Sequence, residues 1–584
     1  MKKKKNTTIS RVIEMAKPHK KTIIIVTLLS LLINIGELIK PYLIKIVIDD
    51  YISFGIFKKG LITIGMIGAS YIGIVIIGNI LDFIASTTTN MMGEEILYTL
   101  RNKLFKYTQY ANISFHDRTP AGKLFVRITN DVEDVSTLFK DVITTFFKDM
   151  ILIVAIIAIM VYFSAKLSLL AFIVIPFVII FSVVLTKILN KIYSKAKVIK
   201  TKLNTFLAES IYGSRLIKIF NIQREKQQEC ENLTHDFRNS RLPGGIIEGL
   251  LPALMTILEN LSICIIIWAT LGGILKDAVD VGLIYVFITY IKQLFEPITR
   301  TIDNIETVQE AFVSINKIYN ILDHKEYLED LDTGTELTNV KGKIEFKNVW
   351  FSYDNEKWVL KNISFTIEPG QSIALVGKTG CGKTTITNLI NRFYEIQKGE
   401  ILLDGVNIKN INKRSLRQHI GIILQDPFIF ARSIKNNIKL NNSNVTEDDI
   451  VDSISLSSAE DFVSSLPNGI DEIAKERGTS FSAGQKQLLA FARIFAHNPS
   501  IFVLDEATAN IDTHTEQLIQ KSIDTISKEK TSIFIAHRLA TIVNVDKIIV
   551  LDAGEIVEMG NHIDLLKTGG YYSKLYNSYY ASLN

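Results

Sequence analysis

The stretch GKTGCGKT, Gly377 to Thr384, sits between an apolar run, SIALVG, and a helical pattern, TITNLI. Residues of these types at this spacing hold phosphate. The backbone amides of Gly377, Lys378, Thr379, Gly380, Cys381 and Gly382 can form a cradle, and the helix start that follows, through Thr385, favours an anion. Lys383 reaches the terminal phosphates, and the Thr384 hydroxyl can bind Mg2+. A second apolar run, SIFVLDE, ends in Asp505 and Glu506. Asp505 would act on Mg2+, directly or through water. Glu506 is placed to polarise an attacking water as general base. The chemistry these groups share is transfer of a terminal phosphoryl group to water.

A third stretch, GTSFSAGQKQL (478–488), reads as another anion-facing helix start. Ser482 can cap the helix, while Ala483 and Gly484 are small. One chain thus carries a full phosphate loop and a second turn suited to phosphate.

The elements that must position these groups belong to the C-terminal part. From about residue 342, KIEFKNVWFSY alternates like a strand, and SIALVG and SIFVLDE read as buried strands. The N-terminal part has a different grammar. Apolar residues make up 47% of the chain's 584 residues and mean hydropathy is +0.23. The excess falls in six spans, about 22–48, 60–86, 141–165, 167–189, 246–273 and 279–302. Each is long enough to cross about 30 Å of hydrocarbon as a helix.

Lys and Arg gather in the connections between spans 2 and 3 and between spans 4 and 5, so these connections and both termini are placed in the cytoplasm. EEILYTLRNKLFKYTQY and TKLNTFLAESIYGSRLIKIF have helical periodicity, which predicts membrane helices that run on into the cytoplasm. FHDRTPAGKL (115–124) reads as a turn joining one such pair. Ile9, Val12, Ile13 and Ala16 follow helical spacing, and the basic segment around them reads either as a short helix on the membrane surface or as a frayed tail. Glu37, Lys40, Asp82, Lys148, Asp149, Glu259 and Lys292 fall within spans. Each would cost about 2.5–3.5 kcal/mol facing lipid at mid-bilayer, so they are expected to pair, snorkel or face a cavity. Glu37 and Glu259 are the first candidates for touching cargo. The net charge of +5 and scattered basic residues argue against nucleic-acid binding. The three cysteines form neither metal spacing nor a disulfide framework.

Over nearly its whole length the chain resembles the ATP-binding cassette exporters, specifically half-transporters. The resemblance rests on motifs in the family's order. It implies an all-α six-helix transmembrane domain fused to an α/β phosphate-loop nucleotide-binding domain. The expected boundaries are a basic N-terminal segment 1–21, a membrane domain 22–322, a linker 323–341 and an ATP-binding domain 342–584. Tyr353, in FSY, matches the aromatic that stacks on adenine. Gln425, in ILQDPFIF, matches the glutamine linking Mg2+ and water to the membrane domain. KERG (475–478) resembles a segment that touches coupling loops, as FHDRTPAGKL resembles the first of those loops. Ser482, Ala483, Gly484 and Gln485, in FSAGQ, match the family signature. Asp512, in ANID, matches the loop after the general base, and His537, in IAHRL, the histidine that contacts the γ-phosphate.

The resemblance also implies why a second anion-facing turn exists. The signature helix covers ATP held by a facing domain, so two nucleotide domains must meet head to tail. A phosphate loop leaves the outer side of the γ-phosphate open, and a helix N-terminus with a Ser hydroxyl can close it. The implied partner is a second half-transporter. Phe481 and Ala483 depart from the usual Leu-Ser-Gly-Gly-Gln; with Glu506 intact, this favours the competent half of a heterodimer over a homodimer.

The expected function is ATP-driven export of amphipathic, drug- or lipid-like compounds by alternating access, with ATP and Mg2+, in the plasma (inner) membrane. The alternative is an ATP-gated channel or membrane sensor. No protease domain precedes the spans, which argues against a peptide-maturation exporter. Cys381, near a helix N-terminus, is expected to have a lowered pKa and to react with maleimide.

Overall fold

The structure, a computed structural model, describes residues 7–52, 61–271, 280–354, 356–505, 511–535 and 542–581. It divides into two compact units. The first comprises residues 1–109 and 120–325, the second residues 110–119 and 326–584.

The first unit carries six long apolar helical runs: Thr8–Ile52, Ile62–Tyr110, Ala121–Phe163, Ala165–Tyr212, Gln223–Thr270 and Val281–Leu322. Spans 1 and 4 lie within these runs; span 3 overruns its run, which ends at Phe163, by two residues, and spans 2, 5 and 6 reach residues outside the described set. A run of 49 residues, such as the second, extends about 75 Å, well beyond the hydrocarbon thickness, so each apolar stretch continues as a polar helix. The buried seam of the membrane part includes Ile156, Met160, Val178, Ile266, Phe287 and Tyr290. Most charges in the spans have partners. Lys40 pairs with Glu37 at 2.6 Å, Lys148 with Asp82 at 2.7 Å, and Arg300 with the buried Asp149 at 2.8 Å.

The short helix Thr8–Ala16 forms as the periodicity predicts, with Thr7 as its cap. Its two faces differ from the simple surface picture. Val12, Met15 and Ala16 pack against the helix Ile305–Leu322, while Ile9 and Ile13 are exposed. Arg11 is buried, bonded to Asp323 at 2.6 Å and seated over the Tyr319 ring.

The second unit holds two sheets. Its strands are β1 (Ile344–Phe351), β2 (Leu360–Ile367), β3 (Ser372–Val376), β4 (Lys398–Leu403), β5 (Val406–Asn407), β6 (Ile420–Ile423), β7 (Ile501–Asp505), β8 (Thr531–Ile535), β9 (Lys547–Asp552) and β10 (Glu555–Gly560). The smaller sheet has order β2-β1-β4-β5 and is antiparallel. The larger has order β10-β9-β3-β8-β7-β6; all its pairings are parallel except β10 with β9. β3 and β8 are buried along their whole length, which is why they read as unbroken apolar runs.

Residues 326–341, expected as a linker, pack on the second unit. Glu329 takes two bonds from Arg417, at 2.8 and 2.9 Å, and one from Lys413 at 3.3 Å. The Leu337 amide donates to Ser415 Oγ, and Leu337 and Val340 pack against a core cluster built from residues of both sheets. The segment 115–124, expected as a turn, holds two short helices, Ile113–Arg118 and Ala121–Val126. Asn112 caps the first, and Pro120 precedes the second.

Candidate functional site

Topology gathers the predicted groups before any side chain is considered. β3, β8, β7 and β6 are neighbours running the same way, so their C-terminal ends lie on one sheet edge. The phosphate loop leaves β3 there, Asp505 ends β7, and Gln425 follows β6. Glu506 follows β7 and His537 follows β8 in sequence; both lie outside the described residues, as do Ala509 and Asn510 of the ANID stretch.

The loop's shape depends on glycine at two positions. A Cβ on Gly377 would lie 2.2 Å from the Leu551 carbonyl oxygen and 2.7 Å from Cys381 Sγ. Gly382 has φ +109° and starts the helix Lys383–Ile390, where a Cβ would meet Leu360 Cδ2 at 2.6 Å. Lys378, Thr379 and Gly380 are exposed, so the loop's amides are open to a ligand. Lys383 is only 6% exposed and its ammonium donates to the carbonyl oxygens of Gly377 (2.7 Å) and Lys378 (3.2 Å). This holds the cation at the loop. Thr384 is exposed at the helix start, and Thr385 is buried.

Tyr353 follows β1 and is 40% exposed. Its hydroxyl shares a 3.1 Å hydrogen bond with Thr385 Oγ1, which ties the ring to the phosphate-loop helix. Sequence reasoning missed the ring behind it, Tyr394, whose centroid lies 4.9 Å away at 89°. The only signal was an aromatic pair, Phe393 and Tyr394, just past that helix.

Cys381 overturns an expectation. The residue is 4% exposed and belongs to a core cluster built from residues of both sheets. Burial pushes its pKa up, and this outweighs the pull of the nearby Lys383 ammonium and the loop amides. The helix N-terminus is therefore not decisive here. N-ethylmaleimide is expected to leave Cys381 unmodified in the native protein and to label it only after denaturation, read by peptide mass spectrometry. Fast native labelling that ATP blocks would contradict this.

The signature helix runs Ala483–His497. Ser482 caps it in a reciprocal box: Ser482 Oγ accepts from the Gln485 amide at 3.2 Å, and Gln485 Oε1 accepts from the Ser482 amide at 2.9 Å. Ser482 and Ala483 are exposed. Gly484 is buried, and a Cβ there would lie 2.3 Å from Thr515 Cγ2. Close approach of two helices therefore explains this glycine. Phe481 is buried against Phe462, centroids 5.3 Å apart, so its departure from Leu is a packing choice. Asp512 caps the helix Thr513–Ser527, accepting from the Thr515 amide at 2.9 Å; that bond holds its carboxyl below the usual range. Among the described residues no hydrogen bond joins 482–485 to the phosphate loop.

The side chains fit a hard divalent cation by donor chemistry. Thr384, Gln425 and Asp505 offer only oxygen ligands from one sheet edge. Among the described residues no cluster of His, Cys, Asp and Glu forms a protein cage. That composition suits Mg2+, which keeps waters and binds substrate phosphates with few protein ligands.

The segment 110–119 also belongs to this unit. The Asn112 amide donates to the Tyr327 carbonyl at 2.7 Å, the Glu329 amide to the Tyr110 carbonyl at 2.8 Å, and Phe115 packs on Tyr327. The Tyr394 hydroxyl donates to the Asp117 carboxylate.

Comparison with known proteins agrees with this architecture. Residues 23–298 match the ABC transporter transmembrane region, and residues 360–509 match the ABC transporter family. A probable multidrug resistance ABC transporter ATP-binding/permease protein, YheH of Bacillus subtilis, is 37% identical over 83% of this chain and 72% of its own length. An ATP-dependent lipid A-core flippase of Syntrophus aciditrophicus is 31% identical over 97% of this chain and 93% of its own. A solved bacterial Atm1-family ABC exporter with ATP bound superposes with a TM-score of 0.78 at 25% identity, covering 96% of this chain and 98% of that one. Six apolar helices and an α/β ATPase unit in one chain, with these relatives, mean ATP hydrolysis coupled to transport across a membrane. The chain belongs to the ATP-binding cassette transporter family, among its exporter-type half-transporters.

Proposed function

We propose that this chain is one half of a dimeric exporter that moves amphipathic, drug- or lipid-like molecules out of the cell by alternating access. The observation that carries the dimer is the signature helix. Ser482 and Ala483 are exposed at the helix start, and among the described residues 482–485 make no hydrogen bond to their own chain's phosphate loop. They are free to close the outer side of a γ-phosphate held by a second chain. A further support is the apolar turn at 211–220, where Ile211, Tyr212, Leu216, Ile219 and Phe220 are all exposed. The nucleotide unit has a groove lined by Leu424, Phe428 and Phe430 of matching character.

In each composite site, Tyr353 packs on adenine and the amides of residues 377–385 hold the phosphates. Lys383 neutralises the terminal phosphates. Thr384, Asp505 and Gln425 would hold Mg2+, which supplies charge neutralisation at the phosphate oxygens. Glu506 takes the proton of a water that attacks the γ-phosphorus; the bond to the bridging oxygen breaks and ADP leaves. His537 contacts the γ-phosphate, and Asp512 ends the loop after the base. ATP drives the cycle only through its different affinity for closed and open dimers.

For cargo, the membrane helices offer a cavity of about 370 Å³ lined by Ile35, Leu38, Tyr42, Ile159, Tyr162, Phe163 and Tyr290. Tyr42 stacks on Phe163 there at 5.9 Å. Flat apolar walls with hydroxyl tips suit an amphipathic ligand. The protein lies in the plasma (inner) membrane with the ATPase unit and both termini in the cytoplasm.

A heterodimer is favoured over a homodimer, because Ala483 adds a methyl where backbone meets phosphate. Intact-complex mass spectrometry on chain extracted gently from its native membrane tests this. One copy plus a similar-sized second protein is the expected result. Twice the chain mass would show a homodimer, and a lone chain in an ATP-hydrolysing fraction would sink the composite site.

A further inference from the structure

Two rings and one carboxylate join the phosphate-loop helix to the segment 110–119. Thr385 bonds the Tyr353 hydroxyl, Tyr353 meets Tyr394 edge-on, and the Tyr394 hydroxyl donates to Asp117. Phe351 braces both rings, at 4.8 Å from Tyr353 and 5.8 Å from Tyr394. Asp117 belongs to the short helix Ile113–Arg118, which follows in sequence on the long helix Leu61–Tyr110. Among the described residues the hydrogen bond of the Tyr394 hydroxyl goes to Asp117 and not to the phosphate loop. A phenylalanine would fill the same space without a polar group to satisfy, so the hydroxyl needs a reason of its own. The bond to a carboxylate is charge-assisted and directional. Burial first, and then the Asp117 charge, hold the phenol well above its usual range, so it remains a donor.

We propose that Tyr394 is a positioning residue that ties occupancy of the Tyr353 face to the seat of residues 110–119. This rests on the reading of Tyr353 as the adenine-side aromatic. A base stacked on the open face of Tyr353 fixes that ring. The edge-on contact then fixes Tyr394, and its hydroxyl fixes Asp117. Coupling of this kind is reciprocal, so a displaced segment 110–119 also weakens nucleotide binding. The path is separate from Gln425, which follows β6 in the larger sheet, whereas Tyr353 follows β1 and Tyr394 precedes β4 of the smaller one.

Hydrogen–deuterium exchange of the full chain in lipid nanodiscs tests the proposal, with Mg·AMP-PNP as the probe. In the native protein the nucleotide is expected to slow exchange across 110–119 by about fivefold or more. Tyr394→Phe and Asp117→Ala should each remove most of that slowing, and the double variant should do no more than either alone. Nucleotide affinity of Tyr394→Phe should fall by about the factor of slowing that is lost, about fivefold, because the coupling is reciprocal. Slowing that survives in Tyr394→Phe, or that is absent in the native chain, overturns the relay. Tyr353→Ala tests the premise separately: native affinity for ATP in that variant would remove the adenine reading, whatever Tyr394 does.

Discussion

Glu506→Gln is expected to lower ATP hydrolysis by about 10²–10⁴-fold, the range for losing a positioned general base, while ATP still binds. The side chain keeps its size and its hydrogen-bonding oxygen but can no longer take a proton. Its neighbour should behave differently. Asp505 ends the buried strand β7 on the same edge as the phosphate loop, and the role proposed for it is toward the cation. Asp505→Asn should therefore weaken Mg·ATP affinity as well as turnover. Phosphate release and ATP affinity, measured on the same membrane preparation, separate the two. If Glu506→Gln retained activity within tenfold of native, the base would lie elsewhere, with His537 the first alternative.

Much of this architecture was legible because its physics is local. Six apolar stretches must be helices in a bilayer, and unbroken runs such as IALV and IFVL must be central parallel strands. The glycine spacing of the phosphate loop is legible in the sequence, and the fold adds a reason for two of these glycines: a Cβ at Gly377 would meet the Leu551 carbonyl, and one at Gly382 the Leu360 side chain. What stayed hidden depended on contacts between distant residues. Within the expected linker 323–341, Glu329 bonds Arg417 and Lys413, which only the fold brings near. Asp117 and Tyr394 could not be paired from the sequence for the same reason. Cys381 failed differently. Two opposing effects were both visible in principle, a helix start that lowers the pKa and burial that raises it. The sequence placed the thiol at the helix but did not reveal that its Sγ faces the core.

Gly377→Ala should be among the most damaging small changes in the nucleotide unit. The added methyl would sit 2.2 Å from the Leu551 carbonyl oxygen, at the end of β9. Backbone on β9, paired with β3 on one side and β10 on the other, cannot turn aside as a side chain can. The loop must therefore move off its line from β3, at a cost of about 3 kcal/mol. That corresponds to about 10²-fold in nucleotide affinity if the displacement falls on binding. Gly380→Ala is the control. Gly380 also has a positive φ, +84°, but nothing lies within 4 Å of its would-be Cβ. Its cost is only the left-handed backbone term of about 1–2 kcal/mol. Fluorescent-nucleotide titration of the full chain should rank native, Gly380→Ala, then Gly377→Ala. Equal losses would show that backbone conformation alone governs the loop. Adding Cys381→Ala to Gly377→Ala should not restore binding. It removes the contact with Sγ at 2.7 Å, but the clash with the Leu551 carbonyl remains, and that oxygen is held by the sheet.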